Sequence, residues 1–393
     1  MLSINALLTR LFQPSALEAK ASATGRLIAF HSNGQPVWTP RDYAALTEQG
    51  YRQNPVVYRC VRLVSEAAAS ITWLVHDGDR ELTDHPLLAL LKRPNARQSG
   101  PELLEAVYGH LLVAGNAYIE AAVVAGELRE LHALRPDRMK VVPGADGWPE
   151  AYDYTVAGRS VRFDQDRDPQ DRLPAPILHL SLFHPLDDHY GMAPLEAACR
   201  ALDLHNAAAS WNKALLDNAA RPSGALVYEG EGSLSLDQFE RLKAELEENY
   251  QGARNAGRPL LLEGGLAWQA MGISPKDMDF IEAKHQAARD IALAFGVPPM
   301  LLGIPGDNTY SNYAEANRAL WRQTVLPLVG RTAAALVHWL KPVYGDSLGL
   351  SADRDAIEAL SADRDALWAR LQAATFLSDD EKRIATGYGA RDA

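Results

Sequence analysis

Hydrophobic positions recur most regularly between Ala193 and Phe295, where two long helical patterns flank a Gly/Pro-bounded insert. In the first, Leu195, Ala198, Leu202, Ala209, Trp211 and Leu215 repeat at steps of three to four or twice that, which predicts a helix with one apolar stripe. Pro194 suits its first turn, and about 27 residues at about 1.5 Å each make a rod of roughly 40 Å. In the second, Ser274 is the expected N-cap, Pro275 stands at N1, Asp277 at N3, and Gly296 is the stop. Both rods are Ala-rich with Lys and Arg scattered around them, so their stripes are modest for their length. Helices of that kind pack sideways against neighbours, which points to assembly.

The insert covers Arg221 to Gly272. Arg221-Pro222-Ser223-Gly224 breaks the first rod, and Ala225 to Tyr228 reads as a short strand. Ser235 and Gln238 form an S-x-x-Q capping box ahead of a helix with Phe239, Leu242, Leu246 and Tyr250 on one face. Pro259–Leu262 and Leu266–Ala270 read as a hairpin around Gly264-Gly265.

Elsewhere the periods are shorter. Residues 1–12 predict an amphipathic docking helix, and 13–50 a loose connection. Asn54-Pro55 caps a helix carrying Val57, Cys60, Val61, Val64 and Ala68. Ile71–Val75 has strand composition, followed by a turn at His76–Asp79. His85-Pro86 and Gly100-Pro101 open two more helices, the second stopping at Gly115-Asn116 before a strand over Ala117–Val124. Short strands come next within 128–142, 151–163 and 177–182, and the charged run from Arg159 to Pro176 reads as an exposed loop. Ser311 caps a third long helix to about Leu340, with a kink expected at Pro327. The hexapeptide SADRDA, at 351–356 and again at 361–366, predicts two capped helix starts. Without regular β-α alternation, the fold class is α+β.

Composition narrows the function. The 393 residues are 47% hydrophobic and 23% charged, an ordinary globular balance with room for two or three domains. Cys60 and Cys199 are too far apart in pattern to read as a metal pair, and they fit buried thiols of a reducing compartment. The N-terminus has no basic n-region or continuous apolar run, so it is not a secretion signal, and no window is apolar enough to span a membrane. A net charge of −11 is the wrong sign for gripping DNA.

Specific catalytic motifs are missing: no Walker phosphate loop, no G-x-G-x-x-G after a strand, no C-x-x-C and no H-E-x-x-H. His179, His184 and His189, with Asp187 beside them, are a candidate metal cluster and the basis of an alternative reading as a metal-dependent hydrolase. Their spacing of five and the intervening Pro185 argue instead for a turn. Ser210 and Lys213 match S-x-x-K, but they lie mid-rod without a K-T-G partner. The loop from Gly303 to Asn308 holds an acid and an amide but no Lys or Arg, so it could approach a polyanion without adhering.

A set of short motifs then falls in a familiar order. Asn54-Pro-Val-Val-Tyr-Arg-Cys-Val-Arg-Leu63, His85-Pro-Leu-Leu88, Gly115-Asn-Ala-Tyr118 and Gly191-Met-Ala-Pro-Leu-Glu196 come first. Asn218-Ala-Ala-Arg-Pro222, Leu262-Glu-Gly-Gly-Leu266, Ser274-Pro-Lys-Asp277, Phe295-Gly-Val-Pro-Pro299 and Thr309-Tyr-Ser-Asn312 come after them. Over residues 54–340 the chain resembles the portal (head-to-tail connector) proteins of long-tailed phages. Its Ala, Arg and Asp usage and short C-terminus also suit the portal of a phage-derived gene transfer agent.

The resemblance implies a portal fold: α/β wing (1–193), stem helices (194–220 and 274–296), small α/β clip (221–273), tunnel loop with long kinked wing helix (297–341), and short helical crown (342–393). It implies a non-enzymatic ring, usually of twelve copies, at one capsid vertex of the virion or a phage-like particle, without a cofactor. Expected partners are other copies of the chain, double-stranded DNA without sequence specificity, the major capsid protein, the terminase large subunit and a head-tail adaptor. Gly303, Ile304, Pro305, Gly306, Asp307, Asn308 and Thr309 would form the tunnel loop facing DNA. Lys276, Lys284 and Arg289 are candidate channel cations, and Tyr228, Glu229 and Trp268 candidate clip contacts for terminase or adaptor.

Overall fold

The computed structural model describes residues 38–78, 80–217, 224–228, 266–270, 280–305 and 310–387, with isolated positions between 235 and 244. The chain divides after Trp38 into two units, and the elements described belong to the second, which starts at Thr39. The N-terminal amphipathic helix, the Ser274 cap, Lys276, Glu229, strand 259–262 and Gly306–Thr309 lie outside the described residues.

The first helix, α1 (Tyr43–Leu46), continues as a π-helical turn to Arg52, so the connection expected over 13–50 is helical from Tyr43. Asp42 caps it by accepting from the Ala45 N–H at 2.9 Å. Leu46 is buried and Gly50 lies against the Leu195 side chain, tertiary contacts too sparse to leave a sequence period. In α2 (Pro55–Ala69) the expected stripe is the core: Val57, Cys60, Val61, Val64 and Ala68 are all buried. Burial pushes the Cys60 thiol up to about 12, which leaves it a small hydrophobe.

β1 (Trp73–Asp77) and β2 (Arg80–Leu82) form a hairpin. α3 (Pro86–Lys92) is capped by His85, whose Nδ1 accepts from the Leu87 N–H. α4 (Gly100–Ala114) begins with a Ser99/Glu102 capping box and ends at Gly115, which has φ +71°. β3 (Asn116–Val124) pairs antiparallel with β4 (Glu127–Leu134). β5 (Met139–Pro143), β6 (Pro149–Val156) and β7 (Arg159–Asp164) make a second antiparallel sheet. The charged run therefore begins as an edge strand, with Arg162 paired to Glu150 and Asp164, and turns into loop only afterwards. β8 (Ile177–Ser181) joins the other edge of β3.

The first rod consists of α5 (Pro194–Ala197) and α6 (Cys199–Asp217), broken at Ala198 where ψ opens to −3°. Leu195, Ala198, Cys199, Leu202, His205 and Ala208 are its buried positions among the described side chains. Trp211, two and a half turns past Leu202, is on the other side and 44% exposed, so it does not belong to the stripe. β9 (Gly224–Tyr228) pairs antiparallel with β10 (Leu266–Ala270), and the Ser235/Gln238 capping box forms between them in sequence. α7 (Phe280–Ala294) is the returning rod, ended by Gly296 at φ +65°.

The kink expected at Pro327 takes the form of a π turn. α8 (Tyr310–Leu320) passes through π-helical Trp321–Val325 into α9 (Leu326–Tyr344), and the Leu326 N–H reaches back to the Trp321 carbonyl. The wider turn accommodates a proline that has no N–H to donate and would clash with a regular preceding turn. α9 then runs through Pro342 to Tyr344, past the expected end at Leu340.

The two SADRDA copies diverge. Ser351 and Ala352 lie in β11 (Leu348–Ala352), antiparallel to β1, with His76 Nε2 3.0 Å from Ser351 Oγ and the Asp353 N–H donating to the Thr72 carbonyl. The second copy opens α10 (Ser361–Ala373), although Leu360 stands at the N-cap without a side-chain bond, and α11 (Asp379–Thr386) comes after it. The first copy is no helix start because a sheet edge captures it; pairing with β1 outweighs local preference. Among the described strands all pairings are antiparallel, and one core joins α2, α4, β3, α5, α6, α7 and α9.

Candidate functional site

The paired rods and the connection that leaves them form the candidate site. α6 and α7 pack against one another, burying Leu202 and Ala208 on one and Ala287, Ala288, Ile291 and Ala292 on the other. Alanines at this seam permit close approach but leave each helix with a shallow stripe.

The base of the rods is tied to the core by Asn54. Its Oδ1 accepts from the Val56 and Val57 N–H groups, while its Nδ2 donates to His205 Nδ1 at 3.0 Å and to Asn206 Oδ1 at 2.8 Å. Asn206 Nδ2 in turn donates to the Gln49 carbonyl. The sequence marks Asn54 as a cap but gives no sign of the second half of its side chain. Only the fold brings α2's first turn to α6. With Nδ1 accepting, His205 is neutral with its proton on Nε2, and burial, then the nearby Lys284, holds its pKa below the ordinary value.

One of the candidate channel cations, Arg289, is engaged within the chain. Lys284 is half-buried and near enough to His205 to disfavour its protonation. Arg289 Nη2 donates to the Pro305 carbonyl at 2.7 Å, and its Nη1 stands 3.4 Å from Glu282 Oε1. The loop residues that are described come after a 3₁₀ turn (Pro299–Leu302): Gly303 at φ +72°, Ile304 buried, Pro305 exposed. In the β9–β10 ribbon, Tyr228 stands opposite Leu266 and Trp268 opposite Leu226.

The histidine cluster is differently employed. His179 is stacked on Tyr118 with centroids 4.4 Å apart, its Nε2 is 2.9 Å from Asn116 Oδ1 and its Nδ1 3.3 Å from the Tyr152 hydroxyl. Burial pushes its pKa down to about 4. His184 Nδ1 accepts from the Leu186 N–H, and Asp187 accepts from the His189 and Tyr190 N–H groups, so these residues shape the turn before Pro194. Among the described residues no three His, Cys, Asp or Glu side chains stand together in a way that could hold a metal. The geometry of these histidines lends the hydrolase reading no support. No described helix is long and apolar enough to cross a membrane.

The same region explains two of the short motifs. Gly115-Asn-Ala-Tyr118 and Gly191-Met-Ala-Pro-Leu-Glu196 interlock: Asn116 Oδ1 accepts from the Gly191 N–H at 2.8 Å, and Asn116 Nδ2 donates to the Gly191 and Ala114 carbonyls. That lock sets the point from which α5 starts.

Residues 55–387 match the family described as Phage portal protein. The chain belongs to that family. It is 55% identical to a chain in a solved structure described as the neck of an empty GTA particle, covering 94% of this portal and all of that chain with a TM-score of 0.72. It is 27% identical over 319 residues to the portal protein of Enterobacteria phage HK97, which spans 76% of this chain and 70% of that one. A portal crystal structure from Corynebacterium diphtheriae, 18% identical, shares the fold over 82% of this chain and 99% of its own, with a TM-score of 0.58. Portal proteins are structural components of particles, which is the class that the resemblance implies.

Proposed function

We propose that this portal protein forms a twelvefold ring in the neck of a gene-transfer-agent-like particle. There it is the conduit for double-stranded DNA and the platform on which terminase and the head-tail adaptor dock. The observation that carries the reading is 55% identity across 94% of the chain to a protein in a native GTA neck solved with C12 symmetry. The paired rods support it: two Ala-rich helices with shallow stripes bury their remaining sides by lateral contact, as a closed cyclic assembly provides.

In this reading α5–α6 and α7 belong to the stem, with expected bounds at 194–220 and 274–296, and 221–273 is the clip carrying Tyr228, Glu229 and Trp268. Residues 1–193 supply most of the wing, and 297–341 the tunnel loop and long helix. Because β11 pairs with β1, we set the start of the crown after Ala352 rather than at 342. Twelve copies at −11 each carry about −132, a charge that lowers adhesion to phosphate. The engagement of Arg289 within the chain acts in the same direction.

Replacing Gly303–Asn308 by a short linker tests the conduit. Rings and particles should still assemble, while the DNA packaged per particle should fall. Normal packaging would contradict the role given to this loop.

A further inference from the structure

Charge makes Arg289 a candidate for touching DNA, but its surroundings assign it another task. It lies on the last half of α7, and Glu282, two turns earlier, stands on one side of its guanidinium. On the other side is the Pro305 carbonyl, sixteen residues further along the chain. The connection between them is closed by its own bonds. The Val297 N–H donates to the Ala292 carbonyl at 2.9 Å, Thr324 Oγ1 donates to the Gly296 carbonyl at 2.7 Å, and the buried Ile304 sends its N–H toward the Pro299 carbonyl. Gly296 is pressed onto Thr324 so closely that a Cβ there would meet its Oγ1 at 2.6 Å.

Residues 296–305 thus form a bracket hung between α7 and the π turn of the long helix, and Arg289 holds its outer end. A carbonyl and a carboxylate have already oriented the guanidinium, which a group presented to a sliding polyanion would not require. The charge-assisted bond to Pro305 is the stronger kind of hydrogen bond.

We propose that Arg289 is a positioning residue: it fastens the base of the loop at Pro305 to the returning stem helix, so that helix and loop base move as one body. The fastening itself rests on the geometry; its consequence for packaging rests on the proposed DNA conduit.

The test uses full-length assembled rings carrying Arg289→Met, which keeps an unbranched apolar stem and removes the donors, and Arg289→Lys, which keeps a donor. Amide exchange over residues 300–304 should quicken about tenfold in the Met ring and stay near wild type in the Lys ring, with ring mass unchanged. DNA packaged per particle should fall in the Met variant and recover in the Lys variant. Unchanged exchange in the Met ring overturns the fastening, whatever packaging does. Faster exchange with full packaging keeps the fastening and contradicts the conduit. A DNA contact instead predicts unchanged exchange and a weaker salt dependence of DNA binding by the Met ring, which also overturns the proposal. Should the Met ring fail to assemble, Arg289→Gln, which shortens the reach, serves in its place with the same outcomes.

Discussion

Gly115 and Gly191, seventy-six residues apart in sequence, press backbone against backbone: a Cβ on either would collide with the other's carbonyl oxygen. Gly115 has φ +71°, the left-handed cap that ends α4, whereas Gly191 is needed for space alone. Gly191→Ala is expected to force the loop before α5 away from β3 and break the Asn116 bonds, at a cost on the order of 3 kcal/mol. Chemical denaturation of the variant checks this. A midpoint equal to wild type would mean that the loop relaxes freely.

Asn54→Asp keeps the cap acceptor but turns an oxygen toward His205 Nδ1, where the amide donated. At pH 8 the neutral imidazole with its proton on Nε2 then faces a carboxylate without a shared hydrogen, and the loss should be about 2 kcal/mol. As pH falls through the ordinary histidine range, a protonated His205 can donate to that carboxylate. The stability gap between variant and wild type should therefore narrow toward pH 5.5. A gap that is constant with pH would contradict the assigned tautomer.

His110 and His179 are both neutral in the fold, each pushed down to about 4, chiefly by burial. Their unfolded forms take up protons near 6.5, so the unfolded state binds more protons between about 6.5 and 4. Stability is then full above 6.5 and falls as pH drops through that window. About 1–2 kcal/mol per group should be lost between pH 7 and pH 5. His179→Gln, which can still donate to Asn116, should remove roughly half of the slope. An unchanged slope in this variant would count against a neutral His179.

The C-terminal helices have no buried residues of their own among those described, whereas Ile357 and Leu360 before them are buried. The pairs from Asp363 to Arg318 and Arg322, at 3.9 and 3.8 Å, are surface pairs of little energy. Ending the chain after Leu360 should change the stability of the rest by less than about 1 kcal/mol. Ending it before Leu348 removes the β11 partner of β1 and should cost several, on the order of 3 kcal/mol. Thermal melts of the two truncations distinguish these outcomes.

What could be read from sequence was what local chemistry encodes. Asn54, Gly100-Pro101 and Ser235 with Gln238 sit at helix starts, and the α2 stripe from Val57 to Ala68 is buried as spaced. Pro327 marks where the regular helix is interrupted, although only the structure shows that the interruption is a π turn. The misreadings share a cause. The first SADRDA copy and the 43–52 helix are decided by partners far along the chain, β1 in one case and Leu195 in the other. Step length counts Trp211 into the stripe, though two and a half turns from Leu202 place it on the opposite side. In the candidate site, charge alone singles out Lys284 and Arg289, and the sequence gives no sign that His205 and the Pro305 carbonyl stand beside them.

The central claim, that this portal works as a closed ring, is tested most directly by the mass of the purified full-length protein in solution, measured by light scattering. A particle near half a megadalton, about twelve copies of a 43.0 kDa chain, is the expected result. A protein that stays at 43.0 kDa, both alone and after incubation with capsid and scaffolding components, would contradict it.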